Sequence, residues 1–196
     1  MLWGVTVKRG NKIFNTVVTA VFAAIIAVGA FMSLQLAAVP FTLQSFAVFL
    51  ALGTLGWKRG TLSVVIYLIL GLVGVPVFSG FKSGAGVLFG PTGGFLIGFI
   101  FAGLTFGAVS RMLTAARLSG VPAKLISFFC GNVVLYAFGC LMYAFVYLKQ
   151  VNFQTLVSSF SVCVMPFLVP DALKITAAAL ISHKLEKLKI MKKYGI

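Results

Sequence analysis

Behind Lys8, Arg9 and Lys12 the chain runs "FNTVVTAVFAAIIAVGAFMSLQL", Phe14 to Leu36, without a single charged side chain. About 20 apolar residues suffice for a helix to cross the hydrocarbon core of a bilayer. In that medium every backbone N–H and C=O must be satisfied internally, which leaves helices and closed barrels as the spanning structures. The basic residues ahead of the run imitate the start of a signal peptide, but the run is too long for one and reads as a retained first span. With Gly, Pro and charge as punctuation, further spans fall at 43–57, 60–78, 92–110, 122–148 and 168–184. The expectation is one all-α integral membrane domain over residues 1–196 with six transmembrane helices. Segment 153–166 is apolar enough to add a partial or re-entrant helix.

Composition agrees, since 61% hydrophobic and 9% charged residues and a mean hydropathy of +1.12 lie outside the range of soluble domains. Sixteen basic residues against two acidic give a net charge of +14, which in a soluble chain would suggest nucleic acid. Here the basic residues cluster at the ends of apolar runs, so the bilayer is the partner and nucleic acid is not. Alternate junctions carry Lys8, Arg9 and Lys12, then Lys58 and Arg59, then Arg111, Arg117 and Lys124, then the tail "HKLEKLKIMKK". The junctions between them hold nothing basic but Lys82 and Lys149. Cytoplasmic loops carry the basic excess, so both termini are expected inside, in a bacterial cytoplasmic membrane.

Several function classes drop out. Cys130, Cys140 and Cys163 lie in apolar runs without CxxC or Cys/His spacing. One histidine and two acids, Asp171 and Glu186, do not readily build a nucleophile, a base or a metal cluster, so no catalysis is expected. GxxxxGK[ST] is absent, and "GAGVLFG" misses GxGxxG by one residue, which rejects nucleotide binding by this chain.

What topology leaves unexplained is "LVPDALKITAAALI", where Asp171 and Lys174 sit inside an apolar run. Charges within a span are expensive and commonly functional. At i and i+3 they share a helix face, and Pro170 suits a first turn, so the pair is either a self-neutralising structural unit or a ligand site. In the expected topology it lies toward the outer half of the bilayer. The outer loop "GFKSGAGVLFGPTGGFLIGF" offers Gly84 and Gly86 for backbone contacts to a ligand, and Lys82 as either a ligand contact or a solvated lysine. Gly94 and Gly98 fall on a stripe for close helix approach. Gln44 and Thr42 in "VPFTLQSF" and Asn132 in "GNVVLYAFG" are further polar candidates, with an interhelical bond the plain alternative for Asn132. In the first span Ala20/Ala24 and Ala23/Ala27 are both small-xxx-small pairs.

In order along the chain, "AVFAAIIAVGAF", "VPFTLQSF", "GAGVLFGPTGGFLIGF", "GNVVLYAFG" and "VPDALKITAAALISHKL" resemble the BioY family of biotin-specific substrate-binding (S) subunits of energy-coupling factor (ECF) vitamin transporters. The central "GPTGG" and terminal "PD..K" motifs carry most of the resemblance. It implies an ECF S-component-like six-helix bundle that captures biotin from outside, without a cofactor. The subunit would deliver biotin inward together with a transmembrane coupling protein and two ATPases. By resemblance Asp171 would accept from a ureido N–H, Lys174 would bind the carboxylate or order that end of the pocket, and Gln44, Asn132, Gly84, Gly86 and Lys82 would add contacts. An alanine face on the first helix, expected to be Ala23/Ala27, would dock the coupling protein. A stand-alone secondary carrier using Asp171 as a proton-linked carboxylate, or an S subunit for thiamine or riboflavin, are the alternatives.

Overall fold

The computed structural model of the chain describes residues 3–34 and 39–187. The last two residues of the expected first span and the end of the basic tail lie outside the described residues.

Helix α1, Trp3–Phe31, begins well before the expected first span. Strand β1, Ser33–Leu34, pairs antiparallel with β2, Phe41–Thr42, and leads into α2, Gln44–Leu72. Two expected spans, 43–57 and most of 60–78, are joined in α2, and Gly56 breaks the helix between them with φ 76° and ψ 167°, a conformation closed to most other residues. A Cβ on Gly60 would lie 2.7 Å from the Leu52 Cα, whereas eight residues of continuous helix cover about 12 Å. The chain therefore turns back on itself at Gly56, and α2 is a hairpin of two helical arms. Its second arm stops at Leu72 rather than 78, because Gly74 adopts φ 103° and Pro76 follows.

After the short helix α3, Ala85–Leu88, come α4, Gly93–Ala115, and α5, Gly120–Val146. A Cβ on Gly94 would collide with the Phe138 carbonyl and Met142, so glycine lets α4 and α5 pack backbone to backbone. The apolar segment 153–166 forms α6, Phe153–Cys163, opened by an Asn152/Thr155 capping box. Eleven residues extend only about 16 Å, too short to cross a bilayer. A 3₁₀ turn, Met165–Phe167, then redirects the chain into α7, Leu168–Glu186.

Five stretches among the described residues are long and apolar enough to cross a membrane. Their outward faces carry large apolar side chains such as Val17, Val28, Phe129, Val133 and Leu173. A contiguous apolar exterior of this kind belongs in lipid, and the chain is a multi-pass membrane protein. The α1 alanines divide between the two surfaces, and here the sequence expectation is corrected. Ala23 and Ala27 are buried together with Ile26 and Ala30, whereas Ala20 and Ala24 lie on the exposed stripe with Val17, Val21 and Val28. The face 23–27–30 packs inside the bundle, so the pair free for an outside helix is Ala20/Ala24.

The two ends of the bundle differ in chemistry. At one end the Arg111 guanidinium lies 4.5 Å from the Trp57 ring centroid, next to the Gly56 turn. At that end the Lys124 ammonium pairs with Glu186 at 2.9 Å and donates to the Gly53 carbonyl at 3.0 Å and to Ser182 Oγ at 3.2 Å. One lysine on α5 thus ties the α2 hairpin to the end of α7. Replacing it by methionine strands a buried carbonyl and an anion, so Lys124→Met should lower unfolding stability in detergent by about 1–3 kcal/mol. Glu186→Gln, which keeps an acceptor, should cost less, and an unchanged unfolding midpoint for Lys124→Met would show that the node contributes nothing.

Candidate functional site

At the opposite end a cavity of about 440 Å³ opens between the start of α2, the 73–92 loop, the last turns of α5, and the start of α7. That volume lies within the range of small-molecule sites. Its walls are Phe78, Phe95, Phe99, Leu135, Tyr143 and Phe167, and its polar side chains include Gln44, Ser45, Lys82, Tyr136, Asp171 and Lys174.

Asp171 stands in the first turn of α7, after Pro170, where the helix dipole favours an anion. Lys174, one turn on, reaches its Oδ1 at 2.9 Å, with both side chains about 9% exposed. Two charges so far from water persist only when their other bonding capacity is also met. Three elements meet it. From α2, Ser45 Oγ donates to Asp171 Oδ1 at 3.5 Å and accepts from Lys174 at 3.3 Å. From α5, the Tyr136 hydroxyl donates to Asp171 Oδ2 at 2.6 Å, a length typical of a charge-assisted bond. From β2, the Phe41 ring face receives the Lys174 ammonium at 4.0 Å and is itself stacked on Phe167.

A carboxylate has about four acceptor positions. Lys174, Ser45 and Tyr136 fill three, leaving one on Oδ2. Lys174 commits two of its three protons to oxygen and turns toward a ring face. Gln44 is 4% exposed, and its Nε2 has no hydrogen-bond partner. Lys82 lies exposed at the cavity mouth, in a turn closed by the Phe78 N–H donating to the Lys82 carbonyl at 3.0 Å. Among these groups the site offers a free acceptor position on Asp171, a buried amide donor on Gln44 and a cation at its mouth.

Of the residues the sequence singles out, Gln44, Lys82, Asp171 and Lys174 line this one cavity. Gly84, Gly86 and Asn132 do not line this cavity. The Gly84 N–H donates to the Gly71 carbonyl at 2.7 Å, pinning the loop to the end of α2, and Gly86 is exposed at the surface. Asn132 faces a second, lateral and apolar cavity of about 650 Å³ between α5, α6 and α7. Sequence reasoning missed Ser45 and Tyr136. The signal for Tyr136 was its position one helical turn after Asn132 on α5, which puts both on one face.

Fold and cavity define a membrane-embedded helical bundle with a cavity of small-molecule size at one end. Residues 6–190 match the sequence model of the BioY family. Proteins named biotin transporter BioY from Thermotoga maritima and Rhizobium etli are 42% and 40% identical to this chain, covering 87% and 86% of it and 94% and 91% of themselves. A crystal structure of the S-component for biotin from an ECF-type ABC transporter superposes with a TM-score of 0.78 at 26% identity, over 91% of this chain and 94% of that one. The chain belongs to the BioY family.

The packing makes one demand that stability measurements can check. Lys174→Met leaves a buried carboxylate without its counter-ion and should cost about 3–5 kcal/mol. Pairing it with Asp171→Asn should recover most of that loss. A double variant no more stable than Lys174→Met would show that the two charges are not compensating each other.

Proposed function

We propose that this chain is the biotin-binding S subunit of an ECF-type ABC transporter, carrying biotin inward without catalysis of its own. The observation that carries this reading is the match between the open bonding positions of the cavity and the chemistry of the ligand. Biotin has a ureido ring with N–H donors and a carbonyl acceptor, an apolar bicycle and chain, and a terminal carboxylate. The remaining Oδ2 position of Asp171 accepts one ureido N–H, Gln44 Nε2 donates to an acceptor of the ligand, and the aromatic walls take the apolar body. Lys174 is already neutralised by Asp171, so it holds that carboxylate in place, and Lys82 at the mouth meets the anionic end. The relatives named biotin transporters and the superposed biotin S-component support the choice of ligand.

On this reading the two arms of α2, together with α1, α4, α5 and α7, make six crossings, with α6 a partial helix on the outer side. The basic end carrying Arg111 and Lys124 faces the cytoplasm with both termini, and the cavity opens outward, as basic excess at inner loops requires. The bundle sits in a bacterial cytoplasmic membrane and works with a transmembrane coupling protein and two ATPases. Ala20/Ala24 is the surface offered to the coupling protein, since small residues let a second helix approach closely.

Calorimetric titration of detergent-purified protein tests the ligand. Biotin should bind tightly, thiamine and riboflavin should not, and Asp171→Asn should weaken biotin at least tenfold. Lys82→Ala should weaken biotin but leave biotin amide, which lacks the charge, unaffected. No heat with biotin overturns the reading. For the partner, Ala20→Leu/Ala24→Leu should abolish uptake in cells while biotin titration stays normal; parallel loss of both would remove the docking role.

A further inference from the structure

The two oxygens of the Asp171 carboxylate are held in different ways. Oδ1 takes the Lys174 ammonium at 2.9 Å and the Ser45 hydroxyl at 3.5 Å. Oδ2 takes the Tyr136 hydroxyl at 2.6 Å and, among the described residues, no other donor. The torsion that turns a carboxylate about its Cβ–Cγ bond is soft, so bonds to one oxygen leave the other free to sweep. The Tyr136 bond stops that motion. Its proton runs one way, since an ionised carboxylate has nothing to donate. It fills one acceptor position of Oδ2 and so fixes where the remaining one points. Tyr136 comes from α5 while Asp171 stands on α7, and the tyrosine lines both the ligand cavity and the lateral apolar cavity. The ring is therefore a partition between two spaces, and its hydroxyl is delivered to the carboxylate from that wall.

We infer that Tyr136 is a positioning residue that determines specificity: by pinning Oδ2 it makes the site demand an N–H of the ligand at one place and reject an ether oxygen or an alkylated nitrogen there. With Lys174, Ser45 and Tyr136 all donating, Asp171 has no proton of its own to offer. A ligand acceptor at that point would face a lone pair, and the buried oxygen would go unmet. This rests on the biotin reading above and deepens it, because it assigns discrimination at the ureido ring to a residue outside the ion pair. Lysine and serine hold the charge, and the tyrosine aims it. Loss of the hydroxyl leaves the carboxylate in place but releases its direction, so selectivity falls together with affinity. A tyrosine that served packing alone would weaken every ligand by the same factor.

The test is calorimetric titration with biotin, biotin amide and two biotins methylated at one or the other ureido nitrogen. The unmodified protein should discriminate at least about tenfold between the two methylated forms, the rejected one identifying the N–H that Asp171 takes. No discrimination would mean that Asp171 demands no particular N–H, and the inference falls. Tyr136→Phe keeps the ring and the partition and removes only the hydroxyl. A hydrogen bond to a charged group corresponds to about tenfold or more in affinity. The variant should therefore weaken biotin, biotin amide and the accepted methylated form by about that factor, and the rejected form by much less, so that discrimination shrinks. Equal losses for all four ligands, or unchanged affinities, would overturn the inference. Sparing of the amide alone would place Tyr136 at the ligand carboxylate and also overturn it. In the Asp171→Asn background Tyr136→Phe should have little further effect, whereas a second loss of about tenfold would mean independent action and overturn it. That comparison also decides the matter if Tyr136→Phe alone does not fold, since with Asn at 171 no carboxylate is left unmet. No heat with biotin in the unmodified protein overturns the biotin reading and this inference with it. Normal biotin affinity, with discrimination untouched by Tyr136→Phe, overturns this inference alone.

Discussion

The cavity end of the bundle is arranged around one ion pair, Asp171–Lys174, held at 2.9 Å and largely shut off from water. Removing two charges from water costs several kcal/mol per ion, which their attraction offsets only when the remaining lone pairs and protons are also satisfied. The pair alone, three residues apart on one helix, cannot meet that condition. It needs Ser45, Tyr136 and Phe41, one from each of α2, α5 and β2. Local helix geometry creates the pair, and tertiary packing makes it affordable. The pair in turn fixes how those three elements meet.

The Gly56 turn is the second constraint, because it decides what lies opposite α7. By folding α2 into two arms it sets Gln44 and Ser45 at the cavity end and Gly53 at the other. One short arm thus contributes to both polar nodes of the molecule. Each node joins a lysine to a carboxylate of α7, Asp171 near its start and Glu186 at its end. The only two acids in the chain are used as the two ends of one helical strut.

Much of this was legible in the sequence, for physical reasons that differ from element to element. Uncharged runs of membrane length announced the helices, and the Lys58/Arg59 junction announced the α2 reversal even though no loop separates its arms. Asp171 and Lys174 stood out because charge inside an apolar run is costly enough to need a cause. Ser45 and Tyr136 did not, since a serine and a tyrosine in a span are cheap and common, and their role exists only once three helices converge. The α1 alanines failed for a related reason. Both pairs have identical spacing, and which face turns inward is set by the helix packed against it, here α2, whose Leu43–Gln44 backbone would lie 3.0–3.2 Å from a Cβ on Gly29 and whose Ser63 donates to the Thr19 carbonyl. Gly84 was misread because glycine serves a positive φ as readily as a ligand, and the structure uses its N–H to tie down the loop.

The separation between a neutral buried node and an exposed cation has a consequence for how the proposed ligand is recognised. The bonds around Asp171 are largely shut off from water, so on the proposed reading salt affects them little and they set which ring is accepted. Lys82 stands at the mouth in water, where a charge is screened beyond about 8–10 Å at physiological ionic strength. Its influence is therefore felt by an arriving anion over a short range, and it adds to the rate of capture more than to selectivity. Were the mouth lysine and the buried lysine exchanged in role, a free ammonium would be left inside an apolar bundle and Asp171 would lose its counter-ion. The fold permits the cheaper division, with the buried lysine spent on structure and the exposed one left for charge.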